Sequence, residues 1–173
     1  LGVPIPELAV AGGVLCKGCG TLHDKWGRHP SCCATGNRSF LWTDRHDGFQ
    51  RAVQRAMWFA RLTARAVGTK DYFGRANPPD TKLRADLVCM HYSGMGRHLF
   101  IDVAVTEPAT ETMMRGARSA ATVTGYAAER RAERKYAKYK DVCLRVDSSF
   151  RDGVIERYGH CSDGLVGLVR LIA

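Results

Sequence analysis

The chain has 173 residues, a formal net charge of +9 at pH 7 and seven cysteines. This length suits one domain with a sizeable core and at most a small appended module. The short apolar run Leu8–Leu15 lacks the basic segment that precedes a signal peptide, and no stretch approaches the roughly 18–20 apolar residues of a membrane span, so we expect no membrane partner.

The excess of positive charge favours a polyanionic partner such as nucleic acid. An odd number of cysteines that includes a Cys-x2-Cys pair favours metal ligation over a disulfide framework, and therefore a reducing intracellular compartment. Pro4 and Pro6 disfavour regular structure at the start of the chain. Because Leu1 is not an initiator methionine, we expect the sequence to be a piece of a longer polypeptide.

Candidate metal ligands cluster near the N terminus. A Cys-Lys-Gly-Cys segment is followed, after a polar loop, by His-Pro-Ser-Cys-Cys. Thiolates and an imidazole close in the chain are the ligands of a tetrahedral structural Zn²⁺. The predicted zinc ligands are Cys16, Cys19, His29 and Cys33. Cys32 is then spare, and His23 is the alternative to His29. Four ligands leave no open coordination position, so this site is predicted to be structural.

The next predicted element is an amphipathic helix from Asp44 to about Ala66. Asp44 suits the N-cap position, and Gly68 follows the expected end. Its apolar residues recur at helical spacing, namely Phe49, Val53, Ala56, Met57 and Ala60. The rest of its surface carries Arg51, Arg55, Arg61 and Arg65. The first turn contains Arg45, His46 and Asp47, where His46 either faces an active site or is an ordinary packing residue.

Residues 69–82 are predicted to form a loop, because they contain an Asn-Pro-Pro-Asp segment, with a short strand possible at Tyr72–Gly74. Two strands follow, Arg84–His91 and His98–Thr106. A turn at Ser93–Gly96 is predicted to join them as a hairpin.

Each strand of this hairpin carries one carboxylate, Asp86 or Asp102. With the reversal near Gly94 and Met95, paired positions sum to about 189, which places Asp86 opposite Val103 and beside Asp102. Directly opposite residues lie roughly 4.5–5.5 Å apart at Cβ. Two carboxylates this close repel each other unless a cation binds or one takes up a proton. Both could be ordinary surface residues, but the strands are too apolar for an exposed edge, so we predict a divalent-metal site.

The stretch from Glu111 to about Asp141 has helical composition. Breaks are expected at Gly116 and Gly125, and Thr124 is a candidate cap for the second piece. Residues 128–140 form the most basic stretch of the chain.

The C-terminal end is predicted to complete the sheet and cover it. Val142–Val146 is predicted to be a third strand. The apolar segment Leu165–Ile172 is predicted to be a helix that packs on the edge of the sheet.

Two carboxylates on adjoining strands, with a lysine nearby, are the groups needed for metal-dependent phosphodiester hydrolysis. Carboxylates hold Mg²⁺ or Mn²⁺, and the cation polarises the phosphate and lowers the pKa of a bound water. A lysine positions that water or offsets charge in the transition state.

The commonest place for this lysine is two residues after the second acid, which is Ala104 here. The basic helix could supply it instead, because Lys135, Lys138 and Tyr139 share one face with Arg131 a turn earlier. The alternative is a solvated face with weak salt bridges to neighbouring glutamates.

The order of these motifs resembles the restriction-like endonuclease domain of site-specific non-LTR retrotransposons, within the PD-(D/E)XK nuclease superfamily. The shared motifs are the zinc knuckle, Arg-His-Asp at a helix start, Ala-Asp and Ile-Asp-Val-x-Val on strands, and Lys-x-x-Lys-Tyr on a helix, between Cys16 and Val146. The resemblance implies an α/β fold with a restriction-endonuclease-like mixed sheet flanked by helices. The implied division is a tail and CCHC zinc knuckle in residues 1–40 and a nuclease-like domain in residues 41–173.

The resemblance also implies roles for individual residues. It matches Asp86 and Asp102 to the acids that hold Mg²⁺ or Mn²⁺, and Lys135, Lys138 and Tyr139 to the displaced lysines and the following tyrosine. His46, at the helix start, completes the predicted catalytic set. The residues predicted to contact nucleic acid are Arg45, Arg84, Arg131 and Arg134. The sequence departs from the family at Ala85, where proline is usual, and in the long stretch between Asp102 and Lys135.

The function that the resemblance implies is metal-dependent nicking of target DNA, so that the free 3′ end primes reverse transcription. A reverse transcriptase would precede this region in the parent polyprotein, which would bring RNA as a further partner and a nuclear location. Two alternatives stay open. One is a catalytically inactive nucleic-acid-binding module, and the other is a junction-resolving nuclease on the same scaffold.

Overall fold

Four strands form one mixed sheet at the centre of the protein. The computed structural model describes residues 13–17, 19–23, 29, 33, 39–68, 72–77, 83–108 and 110–173, without the side chains of residues 39–42 and 111. The strands are β1 (Ala64–Ala66), β2 (Leu87–Cys89), β3 (Leu99–Thr106) and β4 (Ser149–Glu156). They lie side by side in chain order. The first two pairs are antiparallel, and β3 pairs with β4 in parallel.

Helices cover both faces of this sheet. The helices with described bounds are α1 (Ser39–Phe59), α2 (Glu111–Met114), α3 (Tyr126–Arg145) and α4 (Asp163–Ile172). On one face, α1 and α4 pack against β2 and β3 through a core that includes Val53, Met57, Leu165 and Leu168. On the other face, α3 packs through Tyr139, Val142 and Cys143. A parallel pair needs a crossover connection, and α3 provides it between β3 and β4.

Side chains of β3 alternate between the two helical layers. Ile101 and Val103 belong to the core under α1 and α4, whereas Phe100 packs with Tyr139 of α3. Because both faces are covered, the first six residues of β3 are all buried. The predicted mixed sheet flanked by helices is therefore confirmed, while its restriction-endonuclease-like type stays a prediction.

The helix predicted from Asp44 to about Ala66 has wrong bounds. It begins at Ser39, so Asp44 lies inside it, and it ends at Phe59. Residues Ala64–Ala66 form the edge strand β1 and pair with β2. Trp58 reinforces the reversal, because its indole Nε1–H donates to the Ala64 carbonyl at 2.7 Å. Sheet hydrogen bonds outweigh the helical propensity of these alanines and arginines.

Two predictions near the hairpin need correction. Within residues 72–77, Gly74–Ala76 forms a single 3₁₀ turn and not a strand. In the hairpin, Leu87 pairs with Ile101 and Cys89 with Leu99, so paired positions sum to 188. This register is one residue away from the predicted one, and it brings Asp86 level with Asp102.

The predicted strand Val142–Val146 is also wrong, because Val142–Arg145 is the last turn of α3. Val142 and Cys143 follow the buried Tyr139 at helical spacing and join the same core. The parallel strand next to β3 is β4, Ser149–Glu156, which was not predicted.

The predicted C-terminal helix is confirmed as α4, and it packs beside the edge strand β4. The proposed boundary between residues 40 and 41 stays a prediction, although α1 runs across it from Ser39. Within the described parts of the chain, no helix has the length and apolar character needed to cross a membrane.

The N terminus of α3 is capped from β4. The cap predicted from Thr124 is wrong, since Gly125 occupies the N-cap position with no side-chain cap. Instead, Glu156 is buried and its Oε1 accepts the N–H groups of Ala127 at 2.9 Å and Ala128 at 3.1 Å. A carboxylate there satisfies two otherwise unpaired donors and lies at the positive end of the helix dipole.

We expect Glu156→Ala to lower the free energy of unfolding by about 1–3 kcal/mol, because two buried N–H groups lose their acceptor. Urea unfolding followed by circular dichroism measures this change. Glu133→Ala is the control, since Glu133 makes only an exposed ion pair with Arg130 on the same helix and should cost less than about 1 kcal/mol. Equal losses in the two variants would contradict the capping role.

Candidate functional site

Asp86 and Asp102 lie side by side where β2 meets β3. The Asp86 N–H, just before β2, donates to the carbonyl of Ile101, the residue that pairs with Leu87, at 3.0 Å. Its side chain turns back onto β3, where Asp86 Oδ2 accepts the Val103 N–H at 2.7 Å. The Asp102 side chain projects from β3 towards α3 and is almost entirely buried. The predicted pair of neighbouring carboxylates is therefore present.

Burial and mutual repulsion disfavour two negative charges at this pair. The pKa of Asp86 is raised to about 6, first because burial disfavours the charged carboxylate and second because Asp102 lies beside it. The imidazole of His46 and the Val103 N–H act in the opposite direction. Oxygen donors with excess negative charge are suited to a hard divalent cation.

Lys135 reaches the pair from α3. Its Nζ forms a buried ion pair with Asp102 Oδ2, and only about a tenth of each side chain is exposed. Lys138 is exposed, and its Nζ lies 4.9 Å from the centre of the Tyr139 ring. The structure thus brings one of the two predicted lysines to the carboxylates and leaves the other at the surface.

Small side chains explain why α3 comes close enough for this contact. Ala104, where a lysine is commonest, packs with Ala128 and Ala132 of α3 and with Val154 of β4. A long side chain at Ala104 would hold the helix away from the sheet. The lysine at the carboxylates therefore comes from the helix, and alanines fill the space between helix and sheet.

His46 lies on α1 between two carboxylates. Its Nε2 is 3.2 Å from Asp86 Oδ2, and its Nδ1 is 3.2 Å from Asp47 Oδ1. About a third of the imidazole is exposed. The nearby Gln50 side chain donates to the Asp86 carbonyl at 3.1 Å, so α1 holds both the side chain and the backbone of this aspartate.

Tyr139 is fully buried and anchors the segment before Asp86. Its ring stacks on Phe150, with centroids 4.8 Å apart, and its hydroxyl donates to the carbonyl of Arg84. Burial raises the pKa of Tyr139, and the charges of Asp102 and Asp86 add to this effect. The predicted catalytic tyrosine is therefore a neutral group that fixes the backbone two residues before Asp86.

The four arginines predicted to contact nucleic acid occupy different surfaces. Arg84 is exposed, and its guanidinium donates to the Gly68 carbonyl at 3.3 Å. Arg131 and Arg134 are exposed on α3, whereas Arg45 is half-buried in α1. Their contact with nucleic acid stays a prediction.

Sequence reasoning missed a third carboxylate, Asp152. It is the partner of Asp102 in the parallel register, is buried, and accepts a hydrogen bond from the Ser162 hydroxyl. A Cβ added at Gly164 would lie 2.0 Å from Asp152 Oδ2, so only glycine fits there. The signal available was the apolar run around Asp152-Gly153, which becomes a strand once Val142–Val146 is recognised as helix.

The predicted zinc ligands converge at a second site. The ligand atoms of Cys16, Cys19, His29 and Cys33 all lie within 4.8 Å of one another. Cys16 Sγ and Cys33 Sγ are 3.6 Å apart, and Cys19 Sγ is 3.1 Å from His29 Nε2. Tetrahedral zinc places sulfurs roughly 3.8 Å apart and sulfur and nitrogen roughly 3.5 Å apart, so the cluster could hold a metal ion such as zinc.

Local hydrogen bonds favour the thiolate form at this cluster. The side chain and backbone of Thr21 lower the pKa of Cys19 to about 6. The alternative ligand His23 is not one of the four converging residues, although its ring centroid lies 5.2 Å from that of His29. The spare Cys32 lies outside the described residues.

We expect purified protein to contain one zinc per chain and Cys33→Ser to lose it, because a hydroxyl is a poor substitute for a buried thiolate ligand. Elemental analysis by mass spectrometry measures the zinc content. Cys161→Ser is the matched control, since this exposed cysteine lies in the turn after β4 and should leave zinc unchanged. Full zinc in Cys33→Ser would refute the ligand set.

Asp86→Asn is expected to stabilise the protein at pH 7.5 without divalent cations. In the folded protein the pKa of Asp86 is about 6, above the ordinary value near 4. The contribution of this group to folding stability is therefore fully present below about pH 4 and is lost as the pH rises to about 6. Asparagine removes this loss, on the order of 1–3 kcal/mol. Thermal unfolding of both proteins at pH 4 and 7.5 measures it, and a variant less stable than wild type at pH 7.5 would contradict the repulsion.

Comparison with known proteins adds no relative. No protein-family model matches the chain, and no curated protein matches it. The function must therefore be argued from the two sites.

Proposed function

We propose that the protein is a metal-dependent DNA endonuclease with Asp86, Asp102 and Lys135 as its catalytic centre. The observation that carries the proposal is the convergence of these side chains from β2, β3 and α3. The lysine is 33 residues from its aspartate in the chain and nevertheless pairs with it. The restriction-endonuclease-like fold belongs to the same proposal, since the mixed sheet and its crossover helix suit it.

A purely structural role explains this cluster less well. A buried ion pair is weak grounds for stability, because the desolvation of both charges offsets their attraction. Asp86 places a second carboxylate beside the pair, and burial and the Asp102 charge raise the pKa of Asp86. Three hydrogen-bonding groups nevertheless hold Asp86 in place. An unfavourable charged group that is fixed in this way is more typical of a functional site.

The residues divide the chemical work. Asp86 and Asp102 would hold Mg²⁺ or Mn²⁺. When bound, such a cation polarises the phosphate and lowers the pKa of a bound water. Lys135 offsets the negative charge that develops on the phosphate, and burial strengthens this interaction. His46 orients the Asp86 carboxylate through its Nε2.

Charge supports a nucleic-acid substrate. The net charge is +9, and Arg84, Arg131 and Arg134 are exposed. Phosphate contacts from such residues supply affinity without sequence specificity. The finer assignment is target-DNA nicking for retrotransposon integration in the nucleus, with RNA reached through a parent polyprotein. This assignment rests on the order of the sequence motifs. The assignment of a structural role to the zinc module rests on the same order.

A non-catalytic nucleic-acid-binding module is the second candidate. The observation in its favour is that Lys135 already neutralises Asp102, so the sheet and α3 hold together without a cation. A junction-resolving nuclease would use the same residues and differ only in substrate.

Nicking of supercoiled plasmid in the presence of Mn²⁺ or Mg²⁺ tests the proposal. We expect Asp102→Asn and Lys135→Met to lower the rate by at least about 100-fold, because each removes a charge needed in the transition state. Lys138→Met is the matched control, since this lysine is exposed one turn further along α3. It should retain activity within a few fold.

Three results would separate the candidates. Undiminished nicking by Asp102→Asn and Lys135→Met would refute the catalytic centre. Absence of nicking by wild type, with binding to DNA that falls as salt rises, would favour the binding module. Faster cutting of a four-way junction than of linear duplex would favour the junction-resolving enzyme.

A further inference from the structure

The C-terminal half of α1 and the turn into β1 present a surface that the proposed catalytic centre does not use. Its members are Arg51, Arg55, Trp58, Phe59, Arg61 and Arg65, and we name it the basic–aromatic patch. All six side chains are exposed, including Phe59 at 88% and Trp58 at 56%. The Trp58 indole N–H donates to the Ala64 carbonyl, but the largely exposed Phe59, in a segment with four exposed arginines, needs a reason beyond folding.

Helical spacing places part of the patch on one side of α1. Arg51, Arg55 and Phe59 follow each other at intervals of four residues and therefore share a face. Val53 and Met57 point the other way, into the core under the sheet. The exposed face is therefore not an unfilled part of the core.

The charge of this region is entirely positive. From Gly48 to Lys70 the sequence contains four arginines, one lysine and no acidic residue. Among exposed arginines elsewhere in the described chain, Arg97 and Arg130 pair with carboxylates, whereas Arg131 and Arg134 do not. Within the described residues the four arginines of the patch make no such pair. An anionic partner is what they complement.

The backbone at Arg61 is strained in a way that glycine would relieve. Its φ is +60°, and the N–H groups of Arg61 and Leu62 donate to the carbonyls of Trp58 and Met57. This is a Schellman motif, whose left-handed residue is usually glycine. An arginine there has an energetic cost and lies two residues after Phe59 in the chain, and such strain is typical of functional positions.

We propose that the basic–aromatic patch binds single-stranded nucleic acid. Unpaired bases stack on aromatic faces whatever their sequence, and arginines hold the phosphates between them. Bases in a duplex are already stacked and cannot cover Phe59 in this way, so the patch selects single strands.

The patch is separate from the acid pair. His46, which contacts Asp86, and Phe59 are 13 residues apart on α1, or about 20 Å along the helix axis. A strand bound here would be held next to a duplex at the acids. The patch does not depend on cleavage, so it holds or fails independently of the proposed nuclease activity.

Binding of fluorescent oligothymidine and oligouridine of about 20 nucleotides, followed by anisotropy in zinc-loaded full chain without Mg²⁺ or Mn²⁺, tests the proposal. We expect Phe59→Ala to weaken single-strand affinity about 5- to 150-fold, the loss of one stacked base. Phe59→Tyr keeps the ring and should restore binding. Affinity for a duplex of equal length should change less than about twofold, because the patch does not stack paired bases.

Arg61→Gly provides a second variant that should fold at least as well as wild type, since glycine relieves the left-handed strain. We expect it to weaken binding and to lower the slope of log affinity against log salt by roughly 0.7, the loss of one phosphate contact. Met95→Ala is the matched control, because Met95 is 95% exposed in the β2–β3 turn outside the patch.

Single-strand affinities within twofold of wild type for both Phe59→Ala and Arg61→Gly would overturn the proposal. So would self-association of the protein that Phe59→Ala abolishes while oligonucleotide affinity stays the same, because the patch would then be a dimer interface. Plasmid nicking by wild type, measured in parallel, distinguishes failure of the patch from failure of the nuclease. A preference between the two oligonucleotides identifies the natural strand as DNA or RNA.

Discussion

The buried ion pair between Lys135 and Asp102 is the contact on which the arrangement of the site depends. It joins α3 to the centre of the sheet, and it forms only because Ala104 and the alanines facing it let the helix approach. Desolvation of both charges is costly, so the pair needs close geometry and support from its surroundings. Glu156 supplies part of that support, since it holds the start of α3 against the end of β4.

Asp86 is unfavourable for stability, and its proposed role lies in the chemistry of the site. Asp86 is held by α1, by the Val103 N–H and, through the Arg84 carbonyl, by Tyr139, although its charge is unfavourable beside Asp102. A fold selected only for stability would replace it with a neutral residue. In the proposed nuclease, a bound divalent cation would offset this negative charge.

Helix α1 connects the two surfaces that we propose for nucleic acid. Its first half places His46 against the acid pair, and its last turn presents Phe59 and Arg61 to solvent. Since the helix is rigid, the distance between the two surfaces is fixed. The cysteine cluster is a third, separate element, and the closed set of ligands makes it suited to holding structure and not to catalysis.

The sequence by itself determined the features that depend on neighbours in the chain. The cysteine–histidine cluster, the hairpin that brings Asp86 close to Asp102 (one residue out of the predicted register), and the basic helix with its lysines all follow from short-range spacing and turn chemistry. Only the tertiary structure decided that Lys135 and not Lys138 meets the aspartates, that Tyr139 is an anchor, and that Ala64–Ala66 and Ser149–Glu156 are strands. These outcomes depend on which face of each element is covered and on pairing between distant segments. A short apolar run fits a helix as well as a strand, so the sequence alone does not distinguish the two.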